Sequence, residues 1–499
     1  MNKYRHWGIV RKGSILAAAA LIAVLAALLF SLTSNRQMGF PLDDAWIHQT
    51  YARNLGQIGE WVYRPGDVSA GSTAPLWTFL LSLGYHWSAE PAYGWTLTLG
   101  WLGLLLTGLF AELLLSRLVP GYSASIPWAG LFVICEWHQL WAALSGMETG
   151  WMAALYLLVF LLLTGTGTLA WIAAGAATAL AMWMRPDSLT LLGPLFFIGA
   201  WLAIDRKLQI RNVLLGFTVF VLVASGYFLF NYQVGGALWP NTFFAKQIEY
   251  SAMQSISVFP RFGSVLIQPM IGPGILMLPG FLYANWKAIK EKNAVLLAMS
   301  LWWLGISLIY ALRLPVTYQH GRYMMPAMPV FWLIGLAGWL AFWRQPRKYP
   351  VLSKRLWLFG GKTLLGLVSA AFLLLGIQAY QQDSAIINAE MVNTAVWIKN
   401  NLPDDAILGV HDIGAVGFYT ENPIVDLAGL ISPEVIPFMS DEQELGRFLT
   451  ANHVQYLVTF PTWYSHLTNG LQTVYQSDST VAPALGGENM TIYAWSANP

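Results

Sequence analysis

Asp43 and Asp44 stand side by side in PLDDAWIHQTYARNLGQIGEWVYRPGDVSAGSTAPLW, directly after the first long apolar segment of the chain. An ionised carboxylate is costly to hold near hydrocarbon, so two adjacent ones at the water-facing end of a membrane span point to a working site. Partial desolvation raises a carboxyl pKa toward neutrality and lets it accept a proton from a hydroxyl, which makes each aspartate a candidate general base. One of them could equally cap the helix that AWIHQTYARNL begins, where N-terminal amides favour negative charge. Capping accounts for one aspartate and leaves the other for chemistry. Trp46, Trp61 and Tyr63 follow in the same loop. They offer faces on which a sugar stacks, or belong to the aromatic belt at the membrane interface.

Other groups fall in the same class. Glu148, in SGMETG between two apolar runs, either shares the base role and orients an acceptor or is an ordinary acid at the start of a helix. His320 and Arg322, in HGRYMMPAMP just before a span, suit a lipid phosphate, because the Arg fork matches phosphate oxygens. The plain alternative is snorkelling to the headgroups. Lys246 in NTFFAK is a further phosphate candidate, and so is Arg185 in MRPDS, unless it simply pairs with Asp187. His411 and Asp412 are adjacent in the polar tail and would point to opposite faces of a strand. They read as turn or acceptor-facing residues. The chain has no GxxxxGK[ST] phosphate loop, HExxH helix or GxSxG elbow. No metal site is assigned and no cofactor is required. Two carboxylates are compatible with a divalent cation, but no dense set of oxygen ligands demands one. The lone Cys135 excludes a CxxC or disulfide framework.

The elements that position these groups must be membrane helices. The 499 residues are 56% hydrophobic and 10% charged, against about 25% charged in a soluble domain. Apolar runs long enough to span lie at 14–33, 92–117, 124–142, 149–165, 168–184, 187–204, 212–232, 266–286, 293–312, 324–343 and 358–380, about eleven in all. With the N-terminus cytoplasmic, Arg117, then Arg206, Lys207 and Arg211, then Lys287, Lys290 and Lys292, then Arg344, Arg347, Lys348, Lys354 and Arg355 fall on the inside. The net charge of +2 gives no reason to expect a nucleic-acid partner. The run at 75–87 would invert the later loops if it crossed, so it reads as an interfacial helix with Trp77 and Trp87 at headgroup level. The expected fold is an α-helical polytopic membrane protein. Residues 1–380 form the membrane domain with a first outside loop at 34–91, and 381–499 form a small extracytoplasmic α/β domain.

The DDAWIHQTYARNL and VYRPGDVSAGSTAPLWT blocks, NTFFAK, HGRYMMPAMP and DIGAVGFYTENPIVDLAGL together resemble the integral-membrane GT-C glycosyltransferases. The bacterial arabinofuranosyltransferases of mycobacterial walls are nearest in character, with protein O-mannosyltransferases and aminoarabinose transferases more distant. The resemblance implies inverting transfer of a sugar from a polyprenyl-phosphate donor to a glycan, lipid or protein acceptor at the outer face of the plasma (inner) membrane. It places the base on an acid of the first outside loop, here Asp43 or Asp44. By position alone, Glu148 matches the family's second acid, and His320, Arg322 and Lys246 match its phosphate-holding basic residues.

A transporter or lipid flippase is the main rival, since many spans with few polar residues fit it too. Such a chain should show two similar halves with broken helices, and no half-repeat is evident here. In a third reading, a non-catalytic scaffold, the acidic pair is incidental.

Overall fold

The computed structural model describes residues 2–35, 37–66, 68–87, 91–344 and 351–495; Arg347 and Lys348 lie outside them. Most of the chain is helical, because its long runs of Leu, Ala, Ile, Phe and Trp satisfy their own backbone hydrogen bonds only as helices within hydrocarbon. Among the described residues, seven helices are long and apolar enough to cross a membrane, or eight when one bent pair counts as a span. Thr149–Leu163 and Thr168–Met184 are shorter apolar helices. The bent pair, Val258–Met270 and Pro273–Glu291, turns by 94°. Gly272 makes the corner at φ 96°, where a side chain would be strained and would run into the Phe372 ring.

The expected span at 266–286 straddles that corner, and two further expected elements differ. Residues 124–142 do not form one span, because the segment divides into Trp128–Ile134 and Trp137–Leu144. Glu136 stands between them and accepts a hydrogen bond from the His138 amide at 2.9 Å, so it caps a new helix and ends the old path. The 75–87 segment is a helix over Pro75–Ser82 that continues as a 3₁₀ turn to His86. Trp77 on it is buried and donates to the Gly146 carbonyl at 2.9 Å, so it packs inside the protein and does not sit among headgroups, whereas Trp87 is exposed.

The tail folds around five strands: β1 Leu408–Val410, β2 Ile424–Asp426, β3 Tyr456–Thr459, β4 Gln472–Gln476 and β5 Thr491–Ala494. Their order is β2-β1-β3-β5-β4, with β1 parallel to β2 and β3 and β5 antiparallel to β3 and β4. Helices Ile413–Tyr419 and Glu442–Ala451 make the crossovers that parallel strands need. The long helix Val351–Ile387 feeds this sheet through a π turn at Asn388–Val392. Glu390 in that turn is fully buried and accepts the Met490 amide at 2.9 Å, which ties the helix to the sheet.

The sheet domain docks on the segment after the first apolar helix through its 413–419 helix. Tyr63 donates its hydroxyl to the Ile413 carbonyl at 2.5 Å, and Arg53 donates to the Phe418 carbonyl at 2.7 Å. Gly417 sits so close to the Tyr63 hydroxyl that any Cβ would collide with it. Gly417→Ala is therefore expected to cost about 1–3 kcal/mol by overpacking and to speed tryptic cleavage at this seam. An unchanged cleavage rate would show that the seam tolerates the methyl group.

Candidate active site

The acidic pair divides its labour. Asp43 precedes the helix Asp44–Ile58 but caps another one, since its Oδ2 accepts the Gly414 amide at 2.7 Å and its Oδ1 the Ala415 amide at 2.9 Å. Those are N-terminal amides of the 413–419 helix, which a carboxylate satisfies well. Asp44 turns to cations. Its Oδ2 lies 2.7 Å from Arg322 Nη2 and 3.7 Å from Lys246 Nζ. The Tyr323 hydroxyl accepts from both, at 3.1 Å from Arg322 and 2.8 Å from Lys246.

Local backbone geometry delivers Arg322. Gln319, His320 and Gly321 all adopt positive φ, at 52°, 59° and 68°, and two consecutive non-glycine residues in that region are strained. The chain turns abruptly there, and residues expected to act together separate. His320 points to Asp383, Nε2 to Oδ2 at 2.8 Å, between the edges of Trp137 and Trp141. Arg322 points into a cavity of about 720 Å³. It is 8% exposed, and its Nε and Nη1 are buried with no hydrogen-bond partner among the described residues.

Two surfaces of opposite charge line this cavity. Lys246 and Arg322 form one, beside Tyr250, Tyr318 and Gln319; Asp43, Asp44, Glu249 and Asp412 supply carboxylates, and the tail adds His411, Phe460, Trp463 and Tyr464. Burial would push Asp44 up, but Lys246 and Arg322 overcome it and hold the carboxyl below its usual range. Burial would pull Lys246 down, yet Tyr323 and Asp44 keep it above the ordinary lysine value. Asp43 is raised to about 7 by burial, against the lowering influence of the Ala415 and Gly414 amides. Asp412 is raised well above the carboxylate range, first by burial and then by Asp43, Asp44, Glu249 and Asp426. Burial lowers His411 to about 4, so it is neutral at physiological pH; its Nδ1 is 2.7 Å from the Tyr464 hydroxyl.

Of the other sequence candidates, Glu148 is buried outside the cavity lining, 3.7 Å from Arg185 Nη1 and 3.9 Å from His48 Nε2. Arg185 also contacts Asp187 at 3.2 Å and Tyr310 at 3.0 Å, so its charge is already spent on local partners. His48 lies one turn after Asp44 on the same helix, so this cluster backs the site without lining it. Trp46 is fully buried against Phe40, Tyr93, Phe418 and Tyr419. Trp61 packs on Tyr51 and Phe230, and Tyr63 is buried in the seam. None of these three aromatics, nor His320 or Arg185, lines the cavity, whereas His411 and Asp412 both do. The cavity adds Glu249, Tyr250, Tyr318, Trp463 and Tyr464. Glu249 was legible as the i+3 neighbour of Lys246 on one helix face, while Trp463 and Tyr464 follow β3 in a loop and carry no such signal.

A family profile described as "Domain of unknown function (DUF8728)" matches residues 377–493. Among curated proteins, none matches the chain. Solved structures do. ArnT from Cupriavidus metallidurans bound to undecaprenyl phosphate superposes with a TM-score of 0.60 at 17% identity, over 95% of this chain and 97% of that one. The archaeal oligosaccharyltransferase AglB from Archaeoglobus fulgidus, in complex with an inhibitory peptide and a dolichol-phosphate, gives 0.58 at 12% identity over 88% and 69%. Mycobacterial arabinofuranosyltransferase AftD gives 0.49 at 14% identity over 97% and 40%. The chain therefore has the fold of the GT-C glycosyltransferases, a helical integral-membrane body carrying a small C-terminal sheet.

Proposed function

We propose that the protein transfers a sugar, with inversion, from a polyprenyl-phosphate donor to a hydroxyl of a cell-envelope glycan, lipid or protein. The observation that carries this reading is Arg322 at the cavity wall beside Lys246, with two buried guanidinium nitrogens that have no hydrogen-bond partner among the described residues. A buried donor without an acceptor is costly, and a phosphate offers oxygens that fit its fork. ArnT with undecaprenyl phosphate and AglB with a dolichol-phosphate support a lipid phosphate as occupant. The lipid tail stays in the bilayer while the sugar enters the cavity. As the bond from C1 to phosphate breaks, charge grows on the departing oxygens, where preorganised cations stabilise it. Asp44 keeps those cations in place. A cavity aspartate takes the acceptor proton. The N-terminus lies in the cytoplasm, and the cavity and sheet face the outside of the plasma (inner) membrane.

Purified protein incubated with a panel of undecaprenyl-phosphate sugars should release undecaprenyl phosphate. No release from any donor, with the protein folded, would remove this reading. Because Lys246 and Arg322 supply the charge that a divalent ion would otherwise bring, turnover is expected to survive EDTA. Abolition by EDTA and recovery with Mg²⁺ or Mn²⁺ would show that the two cations are insufficient.

A further inference from the structure

Four carboxylates line the cavity, and three are committed. Asp43 gives both oxygens to the amides of Gly414 and Ala415. Asp44 is ion-paired with Arg322 and Lys246. Glu249, three residues after Lys246 on the same helix, lies beside Tyr250 and helps to hold that hydroxyl's proton. Asp412 differs. It occupies the position before the helix Ile413–Tyr419, where an aspartate ordinarily caps its own helix, but it makes no such bond. The Gly414 and Ala415 amides are already taken by Asp43. The capping duty has passed to a residue of the other domain, and the Asp412 carboxylate lines the cavity without a hydrogen-bond partner among the described residues.

We infer that Asp412, delivered by the C-terminal sheet domain, is the catalytic group that takes the proton from the acceptor hydroxyl, and that His411 and Trp463 beside it form the acceptor half of the cavity. The assignment rests on the proposed transfer reaction. Its chemistry is balanced: the acceptor oxygen bonds to C1 of the sugar while its proton passes to Asp412. The bond from C1 to the phosphate oxygen breaks, and its electron pair leaves on the polyprenyl phosphate held by Arg322 and Lys246. An inverting displacement needs base and leaving group on opposite faces of the sugar. The two domains supply them separately, the cations from the membrane body and Asp412 from the sheet. Burial and the surrounding carboxylates raise the proton affinity of Asp412, so its ionised form is a stronger proton acceptor than a solvated carboxylate. Trp463 is half-exposed at the cavity, with the His411 ring edge-on at 4.8 Å, and offers a face to an acceptor sugar.

The test uses the full chain in detergent, undecaprenyl phosphate as the binding probe, a panel of undecaprenyl-phosphate sugars as donors and azide as an alternative nucleophile. Azide has no proton to lose and does not need a base. Asp412→Ala and Asp412→Asn should bind undecaprenyl phosphate as the unaltered protein does. Their transfer to hydroxyl acceptors, water included, should fall by about 10²–10⁴-fold. Azide should restore donor consumption in Asp412→Ala and yield a glycosyl azide. Undiminished transfer, or lost transfer that azide fails to restore while undecaprenyl phosphate still binds, would overturn the assignment. Loss of undecaprenyl-phosphate binding in both variants would mark Asp412 as structural and overturn it too. If the unaltered protein neither binds undecaprenyl phosphate nor consumes any donor, it is the transfer reading that fails, and this assignment falls with it.

Discussion

Arg322→Gln is expected to weaken undecaprenyl-phosphate binding by about 10²–10⁴-fold and to lower transfer at least as far. The figure follows from two lost charge-assisted hydrogen bonds, at Nε and Nη1, each contributing about 1.5–3 kcal/mol, where about 1.4 kcal/mol is a factor of ten. The substitution also strips Asp44 of its nearest cation, at 2.7 Å, and leaves Lys246 to hold it alone. Arg322→Lys keeps the charge and loses the planar fork, so it should fall between the two. Competition of labelled undecaprenyl phosphate from each variant, read beside turnover, separates binding from chemistry. Equal affinity in Arg322→Gln and the unaltered protein would place the phosphate elsewhere.

The second large effect is structural. Asp43→Ala leaves the Gly414 and Ala415 amides without acceptors in a buried seam, at about 1–3 kcal/mol each. Asp43→Asn is little better, because its amide group turns a donor toward a donor. Both variants should release the sheet domain to protease and lose transfer. Azide should restore neither, since what fails is the docking of two domains. If Asp43→Asn kept the protease resistance of the unaltered protein and regained donor consumption with azide, Asp43 itself would be the base and the capping account would be wrong.

The sequence made the acidic pair legible as a pair with two duties, but not the direction of each. A carboxylate beside a helix start caps that helix by default, and the amide that donates to Asp43 lies 371 positions later, beyond any local pattern. The cations were legible by type and place. His320 and Arg322 are two residues apart, yet the left-handed turn through Gln319, His320 and Gly321 sends their side chains to different partners. No propensity anticipates two left-handed non-glycine residues in succession. Trp46, Trp61 and Tyr63 looked suited to sugar because aromatic residues near a membrane face serve binding, belt and core alike; here they pack in the interior or the seam. Glu136 was hidden inside an apolar run, where hydropathy averaging outweighs one cap. The α/β character of the tail was readable because β1 and β3 are short apolar runs between turn residues.

The bond from Asp43 to the 413–419 helix bears on how the chain matures. Ribosomes deliver the membrane half first, so a nascent polypeptide carries Asp43, Asp44, Lys246 and Arg322 before the residues from 411 onward exist. Until the tail folds and the 413–419 helix reaches Asp43, the cavity wall that His411, Asp412 and Trp463 supply is missing. Under the proposed transfer, synthesis order thus acts as a safety catch: the phosphate-facing cations are in place first, and the half that completes the cavity arrives last.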